Sequence, residues 1–100
     1  MEETIFDRII AGETEADIVY EDDAVVAFRD ISPQAPVHVL VIPRNRMQSI
    51  AEAPEPDAET IGTFMQGVAR AARTLEVEEN GYRVVLNTGR DALQTVPYVH

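Results

Sequence analysis

The stretch that most limits what this chain can fold into is Val37-His38-Val39-Leu40-Val41-Ile42-Pro43, its most apolar run of strand length. Successive strand side chains point to opposite faces, and here both faces are apolar apart from His38. Such a strand needs cover on both sides, so the expectation is that it lies at the centre of a sheet. Pro43, which cannot donate a backbone hydrogen bond, ends it. One cover comes from the segment opened by Pro54-Glu55-Pro56-Asp57. Beyond it Ile61, Phe64, Met65, Val68, Ala72 and Leu75 recur at helical spacing and form a continuous stripe. Asp57 and Glu59 near its start, with Arg70 and Arg73 near its end, suit the helix dipole.

The other elements follow from turn chemistry and periodicity. Thr4-Ile5-Phe6-Asp7-Arg8-Ile9-Ile10-Ala11-Gly12 predicts a short helix capped at Thr4 or Glu3 and stopped by Gly12. Residues 16–20 and 24–29 predict a hairpin across the Glu21-Asp22-Asp23 turn. Asp30-Ile31-Ser32-Pro33-Gln34-Ala35-Pro36 is a proline-punctuated loop. Residues 44–53 form a connector, with a helical turn expected around Met47 to Ile50. After the long helix, Asn80-Gly81 turns the chain into a strand over 82–87. A loop over 88–93 then leads to a last strand over 94–100. Helix, three strands, long helix and two strands make one α+β domain spanning residues 1–100, with the long helix across one sheet face.

Of the hundred residues, 45% are apolar, enough for one core that oligomerisation would help. No apolar run approaches the ~18 residues that span a bilayer, and the N-terminus has no signal-peptide pattern. The cytoplasm is the default expectation. The chain has no cysteine, which excludes disulfides and thiolate metal sites. A net charge of −10 argues against polymeric nucleic acid and anionic membranes as partners. A mononucleotide is compatible with it, because its phosphates need only local donors.

Candidate chemistry lies at strand ends and in loops. Asp30 ends an apolar strand; its carboxylate can accept two hydrogen bonds from a vicinal diol, as on a ribose, or it can simply cap the loop. His38, alone on an apolar strand, reads more readily as a satisfied core residue than as a ligand. Asn87, Thr88 and Gly89, with Gln94 and Thr95, offer donors for a phosphate, although turns use the same residue types. Tyr98 and His100 share one face of the last strand, their Cα atoms about 6.6–7 Å apart, while Val99 faces away. Two histidines without HExxH-like spacing leave no metal site expected, and no glycine-rich phosphate loop or Gly-x-Ser-x-Gly is present.

Taken together, several segments resemble the histidine triad (HIT) nucleotide-binding family, in its Hint-like branch. They are Thr4-Ile5-Phe6 with Ile9-Ile10, Tyr20-Glu21-Asp22-Asp23, and Ala27-Phe28-Arg29-Asp30-Ile31-Ser32-Pro33-Gln34-Ala35-Pro36. His38-Val39-Leu40-Val41-Ile42-Pro43, Gly81-Tyr82-Arg83-Val84-Val85-Leu86-Asn87 and Gln94-Thr95-Val96 complete the set, in the family's order. The resemblance implies a HIT-like α+β fold: an antiparallel five-stranded sheet, one short and one long helix, usually in a homodimer. It implies no cofactor and a purine nucleotide pocket. Ile5, Phe6, Ile9 and Phe28 would wall the base, Asp30 would take the ribose hydroxyls, and Ile31 and Leu40 would add apolar contact. Asn87, Gln94 and Thr95 would hold phosphate oxygens, and His38 would support the histidine strand.

The family's strand runs His-φ-His-φ-His-φ-φ, with φ apolar. Gln94-Thr95-Val96 sets the register, so that Tyr98 takes the first histidine position and His100 the second, which assists at the phosphate. The third, the family's nucleophile at the α-phosphorus, would be residue 102. Tyr98 replaces a histidine that orients its neighbours, a task a phenol can share by donating a hydrogen bond. Leu93 stands where the family tends to have glycine. With no turn or polar tail after His100, the strand reads as cut within the triad. The parent protein is then expected to hydrolyse purine nucleoside phosphoramidates through a nucleotidyl-histidine, resembling adenosine 5'-phosphoramidase. The 100-residue chain itself is expected to be inactive or nearly so. The alternative is a non-catalytic nucleotide-binding or interaction module.

Overall fold

In the computed structural model, which describes residues 2–100, the first helix is set by a reciprocal cap. The Thr4 hydroxyl accepts from the Asp7 amide (3.3 Å), and the Asp7 carboxylate accepts from the Thr4 amide (2.7 Å). Helix α1 covers Ile5–Ile10 and buries Phe6 and Ile9. Gly12 follows at φ +75°, a conformation that glycine adopts without steric cost.

Strands β1 (Ile18–Glu21), β2 (Val25–Arg29) and β3 (Val39–Pro43) form an antiparallel sheet in the order β1-β2-β3. The β1–β2 turn is held by Asp22, whose Oδ1 accepts from the amides of Ala24 (2.7 Å) and Val25 (2.9 Å). Helix α2 (Ala58–Thr74) is capped by Asp57, which accepts from the Thr60 amide. The sheet lies between the helices. Phe6 and Ile9 of α1 pack with Val26, Phe28 and Ile42 on one face. On the other, Phe64 of α2 packs with Val25, and Ile61, Met65 and Val68 close around them.

The α+β fold is as the sequence leads one to expect, and the sheet departs from it in two ways. The central strand is β2, and β3 stands at an edge. The sheet among the described residues has three strands, not five. Residues 82–87 run without secondary structure across a groove from β3, and residues 94–100 spend their backbone groups locally. The Tyr98 amide bonds to the Val96 carbonyl, which also accepts from the Gln94 side chain, and Pro97 has no N–H to give. The Gln94 amide bonds back to Gly89 O (3.0 Å), and the Val99 amide ties the segment to the connector at Met47 O (2.7 Å). The connector likewise contains no helical turn around Met47 to Ile50.

α2 sits close on the sheet because of Gly67. A Cβ there would fall 2.5 Å and 2.8 Å from the two Val25 methyl carbons. Gly62, on the same helix, has nothing within 4 Å of such an atom. The helix is also fastened by Arg70, whose Nε donates to Asp22 (2.9 Å) and to the Tyr20 hydroxyl (3.1 Å). Partial burial raises the Asp22 pKa. Hydrogen bonds from Tyr20, the Ala24 and Val25 amides and Arg70 outweigh that and hold the carboxyl well below the usual carboxylate range.

Two outcomes follow for stability. Gly67→Ala should cost about 1–2 kcal/mol in urea unfolding, since overpacking costs about 1–3 kcal/mol and alanine recovers up to about 1 as the better helix former. Gly62→Ala should be neutral or stabilising, and equal effects at the two sites would refute the close α2–β2 contact. Asp22 has a folded pKa below its unfolded value of about 3.9, so its contribution is complete above that pH and lost as pH falls through the folded value. Asp22→Asn should therefore lower the melting temperature most at neutral pH, with the gap to the wild type narrowing in acid. A gap that stays constant down to strongly acid pH would contradict it.

Candidate functional site

β2 ends at Arg29 and β3 begins at Val39, so the loop between them is closed by the pair Asp30 and His38. The Asp30 amide donates to the His38 carbonyl (3.0 Å), extending the ladder by one step. Above it His38 Nδ1 accepts from the Gln34 amide (2.9 Å), which puts the ring proton on Nε2, 3.3 Å from Asp30 Oδ2. Asp30 Oδ1 accepts from the Ser32 amide. The two residues thus hold the loop together and lie at the end of a groove of about 860 Å³ between β3, α2 and residues 81–87.

Five residues singled out from the sequence line this groove: Asp30, His38, Leu40, Asn87 and His100. The His100 ring meets Phe6 edge-on, with centroids 4.9 Å apart. Its Nδ1 lies 2.8 Å from the Tyr98 carbonyl, which can only accept. The Nδ1 proton is thereby fixed, and Nε2 remains as a lone-pair donor able to take a proton or meet a phosphate oxygen. His38 makes no hydrogen bond to the His100 strand; its partners are in its own loop.

The remaining candidates separate into three groups. Phe6, Ile9 and Phe28 lie within the core, so the wall expected of them is closed by their mutual packing in this conformation. Ile5 is at the surface and Ile31 is 99% exposed, without apolar contact. Gln94 and Thr95 line a second cavity of about 420 Å³ with Gln48, Gly89, Arg90, Leu93 and Pro97. Gln94 is a clip there: its Oε1 accepts from the Gly89 amide, and its Nε2 donates to the carbonyls of Gln48 and Val96. Leu93 adopts φ +61°, a left-handed conformation that costs a non-glycine residue about 1–2 kcal/mol.

Tyr98 is almost fully buried against Phe6, and its hydroxyl donates to the Pro43 carbonyl. Burial pushes its phenol up to about 12. The hydroxyl therefore serves the junction with β3, and the orienting of His100 falls to the Tyr98 main chain. Sequence reasoning passed over Arg46. Its guanidinium donates to Asp7 (2.9 Å), to the Glu2 carbonyl and to the Pro97 carbonyl (both 3.0 Å), and it lies 5.5 Å from the Tyr98 ring centre. It fastens the terminal segment to α1. No local pattern points to it, since Asp7 is 39 residues away in sequence and Pro97 is 51.

No group of three or more His, Asp or Glu side chains able to hold a metal ion occurs among the described residues, and no described helix is long and apolar enough to cross a membrane.

Comparison with known proteins places this geometry. The family model described as HIT domain matches residues 11–100. The purine nucleoside phosphoramidase of Escherichia coli (strain K12) is 42% identical over 99 residues, covering 99% of this chain and 83% of that protein. Among solved structures, a histidine triad protein from Clostridium difficile superposes with a TM-score of 0.88 at 34% identity, covering 100% of this chain and 89% of that one. A HIT family hydrolase from Legionella pneumophila also gives 0.88, at 35% identity, covering 98% and 88%.

Tyr98→Phe tests the reading of the phenol. It should lose about 1 kcal/mol in chemical denaturation, as an intramolecular hydrogen bond is removed. Unchanged stability would instead release the hydroxyl from the Pro43 carbonyl and return it to the site.

Proposed function

Because this chain belongs to the HIT domain family, we propose that it is a purine nucleotide-binding hydrolase of the phosphoramidase type. The observation that carries this is the convergence of Asp30, His38, Asn87 and His100 on one groove, in a chain so similar to a purine nucleoside phosphoramidase. The substrate class is a purine nucleoside monophosphate bearing an amine or similar group on phosphorus.

The residues divide the task by chemistry. Asp30 takes the ribose hydroxyls, giving up its contact with the Ser32 amide to accept them. Phe6, Ile9 and Phe28 form an apolar floor, with Ile5, Ile31 and Leu40 bordering the base. Thr95 and Asn87 donate to phosphate oxygens, and Gln94 holds the loop that carries Thr95. His100 offers Nε2 to the phosphate or the leaving group, its ring kept in place by the Tyr98 carbonyl and Phe6. His38 keeps Asp30 aimed through the Nε2 contact. In this reaction class a nucleophile attacks the α-phosphorus and displaces the amine, which leaves with a proton. Water then breaks the nucleotidyl bond and releases the monophosphate. The family pattern puts that nucleophile at position 102, outside the 100 residues; those residues supply binding and orientation.

A homodimer in the cytoplasm completes the proposal, with the exposed Tyr82, Val84 and Val85 as apolar surface available to the dimer. The net charge of −10 supports a small nucleotide over a polymer or an anionic membrane.

Calorimetric titration with AMP and GMP is the test. Both should bind, and Asp30→Asn should weaken binding about tenfold, equivalent to about 1.4 kcal/mol. Asp17→Asn, which removes only an exposed ion pair with Arg29, should leave binding unchanged. Absence of binding at millimolar nucleotide would sink the proposal.

A further inference from the structure

Three consecutive residues of the connector hold the terminal segment. The Gln48 carbonyl accepts from the Gln94 side chain (2.7 Å), the Met47 carbonyl accepts from the Val99 amide (2.7 Å), and Arg46 donates to the Pro97 carbonyl (3.0 Å). The first two use main-chain acceptors, which any residue type would supply. The third uses a side chain, and it takes the one polar main-chain group that Pro97 has. Arg46 is also mostly out of water, its side chain 18% exposed. Burying a guanidinium is costly, so its partners have to be well placed.

Those partners divide between the two ends of the group. Nη1 donates to the Glu2 carbonyl (3.0 Å) and to Asp7 Oδ2 (2.9 Å), and Nη2 donates to Pro97 alone. Oδ2 of Asp7 also accepts from the Thr4 amide (2.7 Å) and the Thr4 hydroxyl (2.9 Å), so the Nη1 end is tied to the cap of α1. Phe6 precedes Asp7, and Tyr98 follows Pro97. Their rings stand edge to face, 5.9 Å apart, and the His100 ring leans on Phe6. A guanidinium is planar and rigid, so it fixes the spacing between the Asp7 carboxylate and the Pro97 carbonyl, each next in sequence to one of those rings. Holding this orientation leaves Nε buried with no partner among the described residues, a bond given up for the other three.

We infer that Arg46 is a positioning residue for His100: its Nη2 end sets where the ring stands against Phe6, and with it where Nε2 is presented. The Nη1 end secures the fold. The seating of the ring stands on this geometry alone, whereas its effect on a phosphate rests on the function proposed above. There a displacement of about 1 Å can cost about 100-fold in rate. Lysine is no substitute. Its ammonium is a single point charge, and drawn to the Asp7 carboxylate it leaves the Pro97 carbonyl without a donor. Asparagine at position 7 does the opposite, keeping an acceptor for Nη1 and removing the charge that strengthens the bond. The two substitutions therefore separate anchorage from placement.

Three measurements on the whole 100-residue protein test this: thermal unfolding, the NMR signals of the His100 ring, which the Phe6 ring current displaces, and calorimetry with AMP. Arg46→Lys should return the His100 ring signals most of the way to those of a histidine in an unstructured peptide, and weaken AMP binding about tenfold. Asp7→Asn should lower the melting temperature while leaving the ring signals and the AMP affinity in place. In a His100→Ala background Arg46→Lys should cost no further affinity, because the two residues act as one unit. Ring signals unmoved by Arg46→Lys would overturn the inference, as would an equal loss of affinity with and without His100, or an equal displacement of the ring by Asp7→Asn. A wild-type protein that binds no AMP would instead remove the proposed function, and the ring signals alone would then decide.

Discussion

The position of His100 depends on Arg46. Its guanidinium reaches from the connector to Glu2 and Asp7 at the start of α1 and to Pro97 of the terminal segment. Its Nε is buried without a partner among the described residues, so part of the desolvation cost of the charge is not returned. The group is better understood as a device of placement than of stability. It holds the Pro97 carbonyl, and the next residue then puts its ring into the core and its hydroxyl on Pro43. With Tyr98 fixed at both ends, little freedom is left to the residue two positions on.

The far side of the sheet is secured in a different way. There the constraint is close approach, with Val25 filling the space that a side chain at position 67 would occupy. Tyr20, Asp22 and Arg70 add a polar clasp at the margin of that contact, joining the β1–β2 turn to the helix. One face is thus built on shape and the other on a charged hub. The candidate residues Asp30, His38 and Leu40 lie along the β3 side, beside the groove.

Local features were legible from the residues alone. The cap at Thr4, the hairpin about Asp22, the apolar β3 and the α2 stripe each follow from spacing and turn chemistry. Asp30 and His100 were also identifiable, because polar residues at the ends of apolar runs are few. What could not be read was relation at a distance. The composition of β3 describes the cover it is suited to, and not the neighbours it has, so an edge strand read as a central one. Residues 82–87 carry the β-branched pattern of a strand, yet pairing needs a partner, which no pattern within them can supply. Phe6, Ile9 and Phe28 suit an open wall and a closed core equally well. Arg46 and the Tyr98 hydroxyl act through main-chain carbonyls, and every residue type has one of those.

That last point bears on how position 98 can vary. The proton on His100 is set by the carbonyl of residue 98, an atom common to all amino acids, and not by its side chain. The side chain of residue 98 bears on His100 only through position, by filling the space beside Phe6 and, as tyrosine, by bonding to the Pro43 carbonyl.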